Sequence, residues 1–154
     1  GIHANHPLHA TAARWLVKSL SVDELVVCHH TILEAYAVLT SLPGTFRVTP
    51  SEARDLLTAT VKGNMTVAGF EPGGIWQILE SLVPRSVTGG RSYDAFVASV
   101  LHAHGANAVA TFNAKHFAGL IEGLSGIDPS QPVAPSRKRV VMAAVNWLAS
   151  LMRS

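Results

Sequence analysis

Ten carboxylates are available to this 154-residue chain for acid–base or metal chemistry: Asp23, Glu24, Glu34, Glu52, Asp55, Glu71, Glu80, Asp94, Glu122 and Asp128. Most have plain surface roles. Glu52 closes a Thr49-Pro50-Ser51-Glu52 capping pattern, Asp55 and Glu80 lie on amphipathic helical stretches, and Asp128 opens a segment rich in Pro and Ser. Glu34 and Asp94 differ, because each sits among apolar neighbours where a strand gives way to a helix. Glu34 follows His29-His30-Thr31 and precedes AYAVL, whereas Asp94 follows Gly89-Gly90-Arg91-Ser92-Tyr93. Structural roles compete with chemistry at both positions. Thr31-x-x-Glu34 is itself a capping box, and an acid in the first turn of a helix is favoured by the macrodipole. Carboxylates gathered at one end of a sheet can instead hold Mg²⁺ (or Mn²⁺), a hard cation that takes oxygen ligands and activates water against a phosphodiester.

Zinc is a poor alternative despite eight histidines. His102 and His104 stand two apart on a helix and diverge, and His6 and His9 have no third ligand nearby in sequence. Structural or surface roles suit these histidines better.

The elements that must position Glu34 and Asp94 alternate in type. An apolar helical stripe runs from Pro7 through Trp15 to Leu20, and residues 24–28 (ELVVC) form a buried strand. Thr31-Ile32-Leu33-Glu34 opens a helix that ends at Pro43-Gly44, and a capped helix follows Thr49. Residues 65–69 read as a strand, 73–83 as a helix, 92–104 as a longer helix closed by Gly105, and 106–111 as another buried strand. Residues 114–120 read as a short turn or helix. Residues 128–138 (DPSQPVAPSRK) lack periodicity and read as an exposed, loosely packed linker, after which 139–144 is strand-like and 147–153 helix-like. Such alternation predicts an α/β fold, a three-layer α/β/α domain with a central, mainly parallel sheet.

Composition fits one domain across residues 1–154. Hydrophobic residues make up 48% and charged residues 14%, which excludes a disordered chain, while the stretch 140–152 is too short to span a bilayer. Residues 1–9 are polar and histidine-rich, unlike a signal peptide, and Cys28 is the single cysteine, so a reducing cytoplasm is the expected compartment. The net charge of +2 permits a polyanionic partner without demanding one.

Several local strings together resemble the VapC toxins of bacterial toxin–antitoxin pairs, which are PIN-domain nucleases. His30 to Thr40 (HTILEAYAVLT) is similar to the helix that carries the family's glutamate. Arg91-Ser92-Tyr93-Asp94-Ala95 resembles its central aspartate motif, and Ala110 to Phe117 (ATFNAKHF) its last motif, with Asn113 where many members carry a further aspartate. Asn5 to Ala10 resembles text that follows the family's first strand and helix. The family's first strand is expected to end in Asp-x-Asn or Asp-x-Ser, and Gly1-Ile2-His3 starts too late to contain it. The C-terminal string VVMAAVNWLAS, from Val140, resembles it instead, with Ala144 in the aspartate position and Asn146 two residues on. The expected organisation is therefore a circular permutation: 1–127 in native-like order, 128–138 joining the old ends, and 139–154 as the first strand and helix.

The resemblance implies a metal-dependent endoribonuclease. Glu34, Asp94 and a carboxylate at position 144 would hold Mg²⁺ or Mn²⁺; Asn113, Asn146 and Thr111 would support them. Arg91 is a candidate RNA phosphate contact, with an ordinary surface arginine as the equal alternative; Arg14, Lys18, Arg47 and Lys115 are weaker candidates of the same kind. Ala144 cannot bind metal, which implies an inactive or impaired form. The resemblance further implies a VapB-type antitoxin, a homodimer, no membrane association and a structured RNA substrate, the sarcin–ricin loop of 23S rRNA favoured over tRNA. A PIN-like module that binds RNA or protein without catalysis is the competing reading.

Overall fold

The computed structural model describes residues 14–15, 17–19, 24–41, 43, 47–111 and 114–130, together with the backbone of 140–143. Its elements in chain order are β1 (Glu24–Cys28), α1 (His29–Ser41), α2 (Pro50–Val61), β2 (Thr66–Ala68), α3 (Gly74–Leu82), α4 (Arg91–Ala103), β3 (Ala108–Ala110), α5 (Ala114–Phe117), β4 (Ser125–Ile127) and β5 (Val140–Ala143). Residues 14–15 and 17–19 are also helical.

The strands form one sheet in the order β2-β1-β5-β3-β4, and every pairing is parallel. β5 lies at its centre, pairing Glu24 with Val140 on one side and Ala110 with Ala143 on the other. β1 and β3 are not neighbours, so the pairs β2–β1 and β3–β4 meet through β5.

Side-chain alternation along β1 and β3 separates two helical layers, as a period of two requires. Leu25, Val27, Ala108 and Ala110 pack with Ala35 and Leu39 of α1, Ala53, Leu57 and Val61 of α2, and Trp15. Val26, Cys28 and Val109 face the opposite way, onto Ile78 and Leu82 of α3, Leu101 and its α4 neighbours, and Phe117 of α5. The architecture is therefore the three-layer α/β/α sandwich with a parallel sheet that the alternating pattern predicts. No helix among the described residues is long and apolar enough to cross a membrane.

Local chemistry accounts for most element ends. Thr49 caps α2 in a reciprocal box: the Glu52 N–H donates to Thr49 Oγ1 at 3.3 Å, and the Thr49 N–H donates to Glu52 Oε2 at 2.8 Å. The hydrogen bonds to Thr49 hold the Glu52 carboxyl below its usual range. Two expectations change. Thr31 does not open its helix, because α1 starts at His29 directly after β1; Thr31 is fully buried in the first turn and its hydroxyl has no hydrogen-bond partner among the described residues. The segment beginning at Asp128 is also better packed at its start than a loose linker. Pro129 is buried, and Asp128 Oδ1 accepts from Ser130 N–H at 2.8 Å and Ser130 Oγ at 2.7 Å. Residues 131–139 and the helix expected at 147–153 lie outside the described residues.

Candidate active site

In a parallel sheet every strand ends at the same edge, and helices that follow one strand or lead to the next start there. α1 starts at that edge because no residue separates it from β1, and α4 starts there because it runs back over the sheet before β3. Glu34 lies in the second turn of α1 and Asp94 in the first turn of α4. Side-chain contacts then tie the two turns together. The His30 ring stacks on Tyr93 with centroids 5.5 Å apart and planes 3° from parallel, and Phe96 meets His30 edge-on at 5.7 Å. Phe96 also contacts His29 and Phe70, so both helix starts rest on one aromatic cluster. His29 is fixed from the other side, with Nδ1 3.0 Å from the Ala68 carbonyl at the end of β2.

Each carboxylate faces a histidine. Glu34 Oε2 lies 3.7 Å from His30 Nε2, too long for a hydrogen bond and an ion pair only when the imidazole is protonated. Asp94 Oδ2 lies 3.6 Å from His116 Nδ1 on α5. Burial pushes the Asp94 carboxyl above its usual value, and the nearby His116 and Arg91 pull the other way without cancelling that effect. A desolvated carboxylate of this kind gains from a cation placed beside it.

The remaining expected residues divide. Thr111 is buried directly after β3, where its N–H donates to the Ile127 carbonyl at 2.9 Å, so it fixes the β3 end of the edge. Arg91 is exposed at the start of α4, and Lys115 is exposed beside His116 on α5. Arg14 and Lys18 are exposed on the helical stretch that carries Trp15, in the layer of α1 and α2 rather than that of α4 and α5. Asn113, Ala144 and Asn146 lie outside the described residues; Ala144 follows directly in sequence on Ala143, the last residue of β5. His30, Tyr93 and His116 were not singled out from the sequence, although each lies within one of the three family-like strings.

Glu34 and Asp94 are hard oxygen donors, which suits Mg²⁺ or Mn²⁺ in kind. Among the described residues no three His, Cys, Asp or Glu side chains gather into a metal site.

Comparison with known proteins agrees with the α/β fold. The model of the PIN domain matches residues 1–120. Ribonuclease VapC27 of Mycobacterium tuberculosis is 31% identical over 99 residues, which cover 64% of this chain and 67% of that protein. No solved structure matches. With a family model spanning most of its length and a curated relative aligned over two thirds of that relative, the chain belongs to the PIN-domain family and, within it, to the VapC type.

Proposed function

We propose that this protein is the toxin of a toxin–antitoxin pair, a metal-dependent endoribonuclease whose catalytic edge is built from Glu34, Asp94 and position 144. The observation that supports the reading is the joining of the α1 and α4 starts, which carry Glu34 and Asp94, through the His30–Tyr93 stack, in a sheet whose central strand β5 ends one residue before position 144. Glu34 and Asp94 would hold Mg²⁺ or Mn²⁺, which when bound supplies charge neutralisation and an activated water for phosphodiester hydrolysis. Asp94 contributes a carboxylate already stripped of part of its hydration, and Arg91 and Lys115 offer cationic contacts to the RNA backbone. Asn113 and Asn146 would hydrogen-bond around the acids. Ala144 leaves the site one ligand short, so this chain is impaired. Its inhibitor would be a VapB-type antitoxin, its assembly a homodimer in the cytoplasm, and its substrate a structured RNA loop, the sarcin–ricin loop of 23S rRNA ahead of tRNA.

The chain order belongs to the same proposal. A family fold permuted so that 139–154 supplies the first strand and 128–138 the join accounts for a central strand reached from the edge strand β4. Its physical support is that β5 pairs on both sides in parallel register.

Ala144→Asp tests the chemistry. The variant should bind Mn²⁺ more tightly and gain chelator-sensitive cleavage of ribosomal or transfer RNA by several orders of magnitude. Glu34→Gln or Asp94→Asn should then abolish the gain without unfolding the protein. An Ala144→Asp protein that folds, binds Mn²⁺ no better and cuts no RNA removes position 144 from the site. That outcome favours the second reading, a non-catalytic binding module, which the two-carboxylate donor set supports.

A further inference from the structure

Tyr93 has no part in the carboxylate chemistry, yet it is an aromatic ring left 57% exposed beside Asp94. Exposure of a large ring is common, but this one is held in place. Its offset, near-parallel stack on His30 takes up one side, and His30 is itself braced edge-on by Phe96 and faced by Glu34. Two basic residues share these elements: Arg91 is exposed two residues before Tyr93 at the same helix start, and Lys115 is exposed on α5 next to His116, whose Nδ1 lies 3.6 Å from Asp94. A braced ring with exposed surface, next in sequence to a carboxylate and on a helix start that also carries an exposed arginine, matches the needs of an unpaired nucleotide. Its base requires a flat apolar surface, and its phosphates require positive charge.

The geometry points to Tyr93 as a base-stacking platform, on which an unpaired nucleobase of the RNA extends the His30–Tyr93 stack and so sets the adjoining phosphodiester against the Glu34–Asp94 edge. This deepens the ribonuclease reading and rests on it for the identity of the ligand, but stacking needs neither metal nor a carboxylate at position 144. The platform also suits a splayed base over a paired one, because both faces of a base in a duplex are already covered.

Binding in chelator therefore tests it on the chain as it stands. The probes are a short fluorescein-labelled single-stranded RNA and an abasic ribose-phosphate chain of the same length, each titrated with the parent protein, Tyr93→Ala and Tyr93→Phe. Loss of one base–aromatic stack should weaken the RNA roughly 5- to 150-fold in Tyr93→Ala. The abasic chain should bind equally to all three proteins, and Tyr93→Phe should keep the parent affinity for RNA. Because Tyr93 is exposed, both variants should keep the parent circular dichroism. Unchanged RNA affinity in Tyr93→Ala, an equal loss for RNA and abasic chain, or no RNA binding by the parent overturns the platform. Failure of the nuclease reading looks different: Tyr93→Ala still loses base-dependent affinity while Ala144→Asp cuts nothing.

Discussion

Gly126 is where strand packing and the site meet, and replacing it with alanine should be costly. The residue sits in β4 opposite Val109 of β3, under α5. A Cβ built there would lie 2.9 Å from Ala114 Cβ, 3.0 Å from its Cα and 3.0 Å from its carbonyl oxygen. Ordinary contact begins near 3.4 Å, so α5 must retreat by about half an ångström, and no side-chain rotation relieves a clash with backbone. Overpacking of this kind costs about 1–3 kcal/mol. For a domain of this size that is a fall in Tm of roughly 2–12 °C. The matched control is Gly90→Ala: at φ −59° and with nothing within 4 Å of the new methyl, it should stay within about 0.5 kcal/mol of the parent. Urea unfolding followed by tryptophan fluorescence gives the midpoints of all three proteins. If Gly126→Ala is no less stable than Gly90→Ala, then α5 does not pack on β4 at this distance, and the placement of His116 beside Asp94 loses its support.

Two further predictions concern charge and capping. The folded Asp94 carboxyl titrates above its ordinary value of 3.8, so the folded chain holds that proton more tightly than the unfolded one. Stability should therefore fall as pH rises from about 3.8 through the raised value. In chelator, Asp94→Asn should raise Tm at neutral pH with the gain vanishing below that window, and a destabilised variant at pH 7 would contradict the burial argument. Thr49→Ala should cost about 1 kcal/mol through loss of the α2 cap. Glu52 titrates below its ordinary 4.5, so its share of the box is present above that pH and lost as pH falls through the lowered value; a mutant deficit that is constant across an acid titration of Tm would argue against the reciprocal box.

Much of the scaffold could be read from the sequence because local chemistry and tertiary context agree there. ELVVC is strongly β-forming and became β1, and the Thr49 box stands as written. β4 went unread because Ser-Gly-Ile carries one β-branched residue; pairing with β3 makes it a strand. Thr31 misled because a capping pattern needs a loop before it, and β1 leaves none. Glu34 and Asp94 stood out as acids at helix starts, but their partners did not. His30 and Tyr93, or Asp94 and His116, meet through the topology of the sheet, which no spacing in the chain encodes.

The central position of β5 sets the order in which the molecule can assemble. Until the 140–143 segment enters, β2–β1 and β3–β4 share no backbone pairing with each other, and each has an unpaired inner edge. Closing the sheet joins residue 24 to residue 140 and residue 110 to residue 143, and the first of these contacts spans most of the chain. Loop-closure entropy is spent on that step before its packing is gained, so sheet closure should be slow compared with formation of the helices. Without β5 the sheet edge lacks its central strand, whose last residue Ala143 directly precedes position 144.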